Sequence, residues 1–118
     1  MKTCILIIVI LAVGMIPSCV NAASNVLNWV DNSDNEANFH IERKAEACIG
    51  SGVFNEIATT GINIATFTDA TVVEGVTYCY RVAASNSSGK SAFSNTAERL
   101  VPFSVPVPPS VLTVTGGL

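Results

Sequence analysis

The side chains able to do chemistry here are few, and their spacing limits what they can do. The four cysteines are Cys4, Cys19, Cys48 and Cys79, and His40 is the single histidine. Two cysteines with no histidine near them in sequence are too few ligands for zinc. His40 lies between Phe39 and Ile41 with outward strand parity, and no serine or cysteine nucleophile is expected beside it. Asp31, Asp34 and Glu36 form an acidic cluster, but the alternate-position Asp and Gly of a calcium loop are missing. Asx turns and solvation account for that cluster. Glu42, Arg43 and Arg81 are expected to form surface ion pairs across neighbouring strands, which contribute little. Asn86-Ser87-Ser88 matches a glycosylation sequon, and turn formation suffices to explain it. No cofactor motif is present, so the residues favour a non-catalytic chain.

The elements that position these groups start after an unusual leader. Met1-Lys2 is followed by an apolar run from Ile5 to Ile16. A run of about a dozen residues is short for a membrane span and suits the helical core of a secretory signal. Val20 and Ala22 stand at −3 and −1, so residues 1–22 are expected to be a signal peptide cleaved after Ala22. A second reading stays open. Ile16-Pro17-Ser18-Cys19 resembles the lipobox of bacterial lipoproteins, with Cys19 the lipidated residue and Pro17 a departure from the pattern. Removing residues 1–22 moves the net charge from −3 to −4. A mildly acidic chain without a Lys/Arg cluster does not suit nucleic acid. Cys48 and Cys79 are then the remaining pair, a candidate disulfide in an exported domain.

The rest reads as strands. Tyr78, Tyr80, Val82 and Ala84 share one face of an alternating stretch, and Cys79, Arg81 and Ala83 the other. Asn-Ser-Ser-Gly at Asn86–Gly89 turns the chain. Asn25, Leu27 and Trp29 share a parity, as do Phe39 and Ile41. Phe54 to Thr59, Ile62 to Thr68 and Ser91 to Val101 supply further extended segments. With no sustained helical period after residue 22, short strands between turn signals predict an antiparallel β-sandwich.

In order along the chain, Leu27-x-Trp29, Asp31-Asn32-Ser33, Phe39-x-Ile41-Glu42-Arg43, Phe54-x-x-Ile57-Ala58 and Phe67-Thr68-Asp69 lead to Gly75-x-Thr77-Tyr78-x-Tyr80-Arg81-Val82. Asn86-x-x-Gly89-x-Ser91-x-Phe93-Ser94-Asn95 follows. The ordered set, over about residues 25–97, resembles a fibronectin type III domain of the bacterial extracellular kind. The resemblance implies an immunoglobulin-like sandwich over residues 23–101, with Leu27, Trp29, Phe39, Ile41, Ile57, Phe67, Tyr78, Tyr80 and Val82 as structural core. It implies that Tyr78 is a tyrosine corner, tying the turn before it to its own strand. It puts the loop holding Cys48 near Cys79, and a bridge there would contribute about 3–4 kcal/mol. Phe54 takes a core role by the same match, and no platform of exposed aromatics for sugars is expected.

One departure concerns the first strand of the family, strand A, for which only Ala23 and Ser24 remain before the Trp29 strand. An uncovered sheet edge results, open to self-association. Residues 102–118 hold a proline-rich linker and then Pro108-Pro109-Ser110-Val111-Leu112-Thr113-Val114-Thr115-Gly116, which looks like a strand A at the other end. This tail is read as the start of a following domain in a tandem array, as a strand that folds back, or as one that completes another molecule's sheet. The function expected is an exported spacer or protein-interaction module, with other protein domains or surface proteins as partners and no membrane contact unless lipid-anchored. The alternative is a cell-surface carbohydrate-binding or adhesion protein.

Overall fold

The computed structural model describes the backbone of residues 4–11 and 14–118, and side chains from residue 22 onward. Its strands are β1 (Cys4–Leu11), β2 (Gly14–Asn21), β3 (Asn25–Asn28), β4 (Asn38–Lys44), β5 (Asn55–Gly61), β6 (Thr66–Asp69), β7 (Thr77–Asn86), β8 (Gly89–Lys90) and β9 (Ala97–Leu100). No helix occurs among the described residues. The expected signal helix falls partly on residues 1–3, 12 and 13, which lie outside them. The flanking backbone of β1 and β2 is extended and paired antiparallel instead. The run Ile7-Ile8-Val9-Ile10 is β-branched throughout and favours that extension.

β7 is the centre of the larger sheet because its alternation is the cleanest in the chain. Tyr78, Tyr80 and Val82 are buried on one face. β4 pairs antiparallel with β7, and β5 with the other edge of β4, with a register shift between Ile41 and Glu42. The free edge of β7 takes β9 along Thr77–Tyr80 and β8 at Ser85–Asn86. Between β8 and β9 the last strand is irregular. Ser91 and Ser94 donate their backbone N–H to Ala84 and Val82 carbonyls. Their hydroxyls accept the Ala84 and Val82 N–H groups at 2.9 and 3.0 Å, replacing ladder bonds with side-chain ones.

The smaller sheet is β3 paired with β6. Between the two sheets lie Phe39, Ile41, Val72, Tyr78, Tyr80, Val82 and Val101, flanked by half-buried Leu27, Trp29, Ile57 and Phe67. Burying each large apolar side chain contributes about 1.5–3 kcal/mol. Trp29 packs edge-on against Phe39 with ring centroids 5.4 Å apart. Val72 and Val101 were not foreseen as core. Val101 closes the base, its N–H bonded to the Val76 carbonyl and its carbonyl to the Gly75 N–H.

The Tyr78 hydroxyl accepts the Val73 N–H at 3.0 Å, which is the expected corner. Asp31 accepts the Ser33 N–H and Asn86 the Ser88 N–H, both Asx turns.

Candidate functional site

Cys48 and Cys79 are joined as a disulfide with Cα atoms 5.1 Å apart. Cys79 has the parity that points away from the core, yet it is fully buried. The loop after β4 covers it. Lys44 reaches into that loop, donating to the Cys48 carbonyl at 3.1 Å and to the Gly50 carbonyl. The face opposite the core is thus partly roofed, a consequence that strand parity alone does not reveal.

A polar network ties the two sheets. Arg43 shares the parity of Ile41, so it crosses the interior instead of joining Glu42 and Arg81 as expected. Its Nη1 donates to Asp69 at 2.8 Å and to Thr71 at 2.8 Å, and its guanidinium lies 4.8 Å from the Tyr78 ring centre. The Tyr80 hydroxyl donates to Asp69 at 2.9 Å and accepts from Asn25 at 2.9 Å. Arg99 donates to the Asn25 side chain at 2.6 Å and to the Ser24 carbonyl at 3.0 Å. Burial pushes the Asp69 carboxyl up, but hydrogen bonds from Thr71, Arg43 and Tyr80 outweigh it and hold it below the usual range. Burial, together with neighbouring Asp69, pushes the Tyr80 hydroxyl up to about 12. Asp69 and Asn25 were the residues missed in the sequence. Their shared signal was a polar side chain at a core-facing position of β6 and β3.

The outer face of β4 and β7 carries Glu42 opposite Arg81. Arg81 donates to Glu42 at 3.1 and 2.7 Å, and Lys90 donates to the other oxygen at 3.2 Å. Burial raises the Glu42 carboxyl, and Arg81 and Lys90 more than reverse this. Arg81 also lies between two rings, 4.1 Å from the centre of Phe54 and 3.8 Å from that of Phe93. Phe54 is therefore not a core residue but half of this clamp, and both rings give their faces to the guanidinium, where a sugar would otherwise stack.

On the same face a serine does stand beside His40, contrary to expectation. His40 lies opposite Ala83 in the register, so Ser85 is its diagonal neighbour. Ser85 Oγ is 2.7 Å from His40 Nε2, and Glu56 is 2.5 Å from Nδ1. With Nδ1 donating to Glu56, Nε2 accepts the serine proton, an order shared with acyl-transfer sites. The backbone N–H groups of Ala37, Ala84 and Ser91 nearby are committed to Ser85 O, Ser91 Oγ and Ala84 O. Those three N–H groups are therefore not free to meet a developing oxyanion, usually the largest catalytic contribution.

A slot of about 670 Å³ lies between β3 and β9. Asn25, Leu27 and Trp29 form one wall, Ala97 and Arg99 the other, and Tyr80 and Val82 contribute to the lining between them. The Trp29 Nε1 is buried without a partner. No group of three or more potential metal ligands occurs among the described residues.

No protein-family model matches the sequence, and no curated protein matches it. Solved structures do. The fourth fibronectin type III domain of a human protein superimposes with TM-score 0.59 at 18% identity, over 75% of this chain and 73% of that one. The sixth such domain of human fibronectin type III domain containing protein 3 gives 0.57 at 19%, over 79% and 85%. The twitchin kinase region of C. elegans gives 0.58 at 22%, over 70% of this chain but 15% of that much longer one. Likeness at these identities establishes the fold.

Proposed function

From the fibronectin type III fold, we propose that this chain is an exported, non-catalytic module that spaces or joins protein domains and is suited to a tandem array. The observation that carries the reading is the way the chain leaves the sandwich. Val101 is buried at its base, the Phe103 ring packs against Gly75, and the Ser104 N–H donates to Glu74 at 3.2 Å. Pro106, Pro108 and Pro109 then stiffen the departing arm. A junction fixed to the domain and continued by a stiff linker transmits orientation from one unit to the next. The twitchin kinase region, whose name places a fibronectin domain beside a kinase, shows such a unit next to a catalytic one. Export follows from the leader, with cleavage after Ala22 or lipidation at Cys19, and a disulfide suits an oxidising compartment.

Small-angle scattering of two copies joined through residues 102–109 tests the spacer role. The maximum dimension should grow by about 58 Å, made up of about 33 Å for ten extended residues such as β7 and about 25 Å for the eight extended residues of the linker. A compact particle in which the copies collapse together would overturn it.

A further inference from the structure

β3 is paired on one edge only. Among the described residues β6 is its sole partner, and the slot lies along its other side. Leu27 and Trp29 are only half-buried at this slot, so apolar surface is left uncovered along the open edge of β3. An incoming strand supplies backbone carbonyls, ladder partners for β3 and side chains to fill the cavity.

The same chain carries an unpartnered strand. Val111, Leu112 and Val114 are 87%, 94% and 89% exposed. No residue after Ser104 makes a hydrogen bond to another described residue. The tail from residue 102 to 118 has no charged side chain, so nothing in it opposes entry into an apolar slot. Leu112 and Val114 share one parity, with Thr113 and Thr115 on the other, as a strand with one buried face requires. Val111 has φ 57°, a conformation that a β-branched residue avoids and that pairing as a strand would relieve.

Direction decides whose slot the tail fills. Arg99 near the end of β9 contacts Ser24 and Asn25, so the chain leaves at the Asn25 end of β3. A strand antiparallel to β3 must enter from the Trp29 end. To reach its own slot that way, the tail must reverse through a proline-rich arm whose root is held by Gly75 and Glu74. A second molecule placed beyond the arm presents its Trp29 end directly.

We propose that residues 110–115 of one chain insert beside β3 of a second copy, so that copies assemble head to tail by strand addition. The contact is heterologous, leaving a free tail at one end and a free slot at the other, so growth continues until capped. This deepens the module reading by naming its partner.

Sedimentation of the full chain across a wide concentration range tests it, together with the double variant Leu112→Asp, Val114→Asp. Both substituted residues are exposed, so the variant keeps the fold. The wild-type mass should rise in whole-chain steps, with Trp29 fluorescence shifting to the blue, while the variant stays monomeric with unshifted emission. Because the variant retains its slot, a tenfold excess of it should cap wild-type assemblies and bring their mean mass down toward two chains. A wild-type chain that is monomeric throughout overturns the exchange, including the case in which its tail folds into its own slot. Association that survives in the variant, escapes capping or leaves Trp29 unchanged overturns it equally. A monomeric result leaves the spacer reading standing, since that rests on the scattering of linked copies.

Discussion

Arg43 Nη1 and Asp69 Oδ2 are 2.8 Å apart and bridge the two sheets of the sandwich. Asp69 is almost fully buried and also holds Thr71 and Tyr80, so it is the point at which β4, β6 and β7 are pinned together. Removing one partner leaves a buried charge unpaired. Arg43→Met is expected to cost about 3–5 kcal/mol. Denaturant unfolding measures it, and a loss below about 1 kcal/mol would show that the bridge is ornamental.

The same network sets the pH limits of the fold. Asp69 has a lowered pKa in the folded state, so its contribution is present above its ordinary value of 3.8 and is lost as pH falls through the folded value. Tyr80 has a raised one, so its contribution is complete below 10 and is lost as pH rises toward about 12. Stability should therefore hold across the neutral range and fall at both ends. Tyr80→Phe should flatten the alkaline limb and also shrink the acid limb, because the Tyr80 hydroxyl is one of the donors that lower the Asp69 carboxyl. Following tyrosinate absorbance checks the assignment, because one tyrosine should ionise near 12 in the wild type and that step should be missing in the variant.

Much of this fold can be read from alternation. The parity of Tyr78, Tyr80 and Val82, of Phe39 and Ile41, and of Leu27 and Trp29 reports the core because one face of each strand is buried and the other is not. Parity is blind to which sheet a long side chain crosses to. Arg43 was assigned to the surface with Glu42, although it follows Ile41 by two and so faces inward. It is blind also to roofs: Cys79 stands on the face that alternation marks as solvent, yet the loop after β4 buries it. Phe54 was given a core role by the family match alone, and it lies instead against Arg81 on that outer face. The His40–Ser85 contact needs the register between β4 and β7, and a hydrophobic pattern alone does not fix diagonal neighbours.

The Cys48–Cys79 bridge closes a separation of 31 residues. Loop-closure entropy gives it about 3–4 kcal/mol. The double variant Cys48→Ser, Cys79→Ala should melt more than ten degrees lower, since about 1 kcal/mol moves a domain of this size by roughly 4–8 °C. Calorimetry on the oxidised chain and the variant decides it, and equal melting temperatures would mean that Lys44 and its carbonyl partners alone hold the loop.

Gly75 has φ +80°, and a Cβ placed on it would fall 2.3 Å from the Phe103 ring. Gly75→Ala therefore strains the backbone and evicts the ring from the root of the arm. A cost of about 1–3 kcal/mol is expected from the conformation alone. Amide exchange should show the Ser104 N–H losing protection while Val82 and Ala84 keep theirs. Uniform loss across the domain would indicate instead that Gly75 is needed for the sandwich itself.

Ser85, His40 and Glu56 provide a direct challenge to the non-catalytic reading. Were the serine activated, an ester with a good leaving group would acylate Ser85 Oγ, the proton passing to His40 Nε2 and the alcohol departing with it; water would then release the acid. With the backbone N–H groups of Ala37, Ala84 and Ser91 committed elsewhere, they supply none of the usual oxyanion stabilisation. The wild type and Ser85→Ala should therefore release nitrophenol from nitrophenyl acetate at the same slow rate, as should His40→Gln. A wild-type rate tenfold above both variants, with a burst equal to the protein concentration, would establish an acyl-enzyme and end the reading of this chain as a structural module alone.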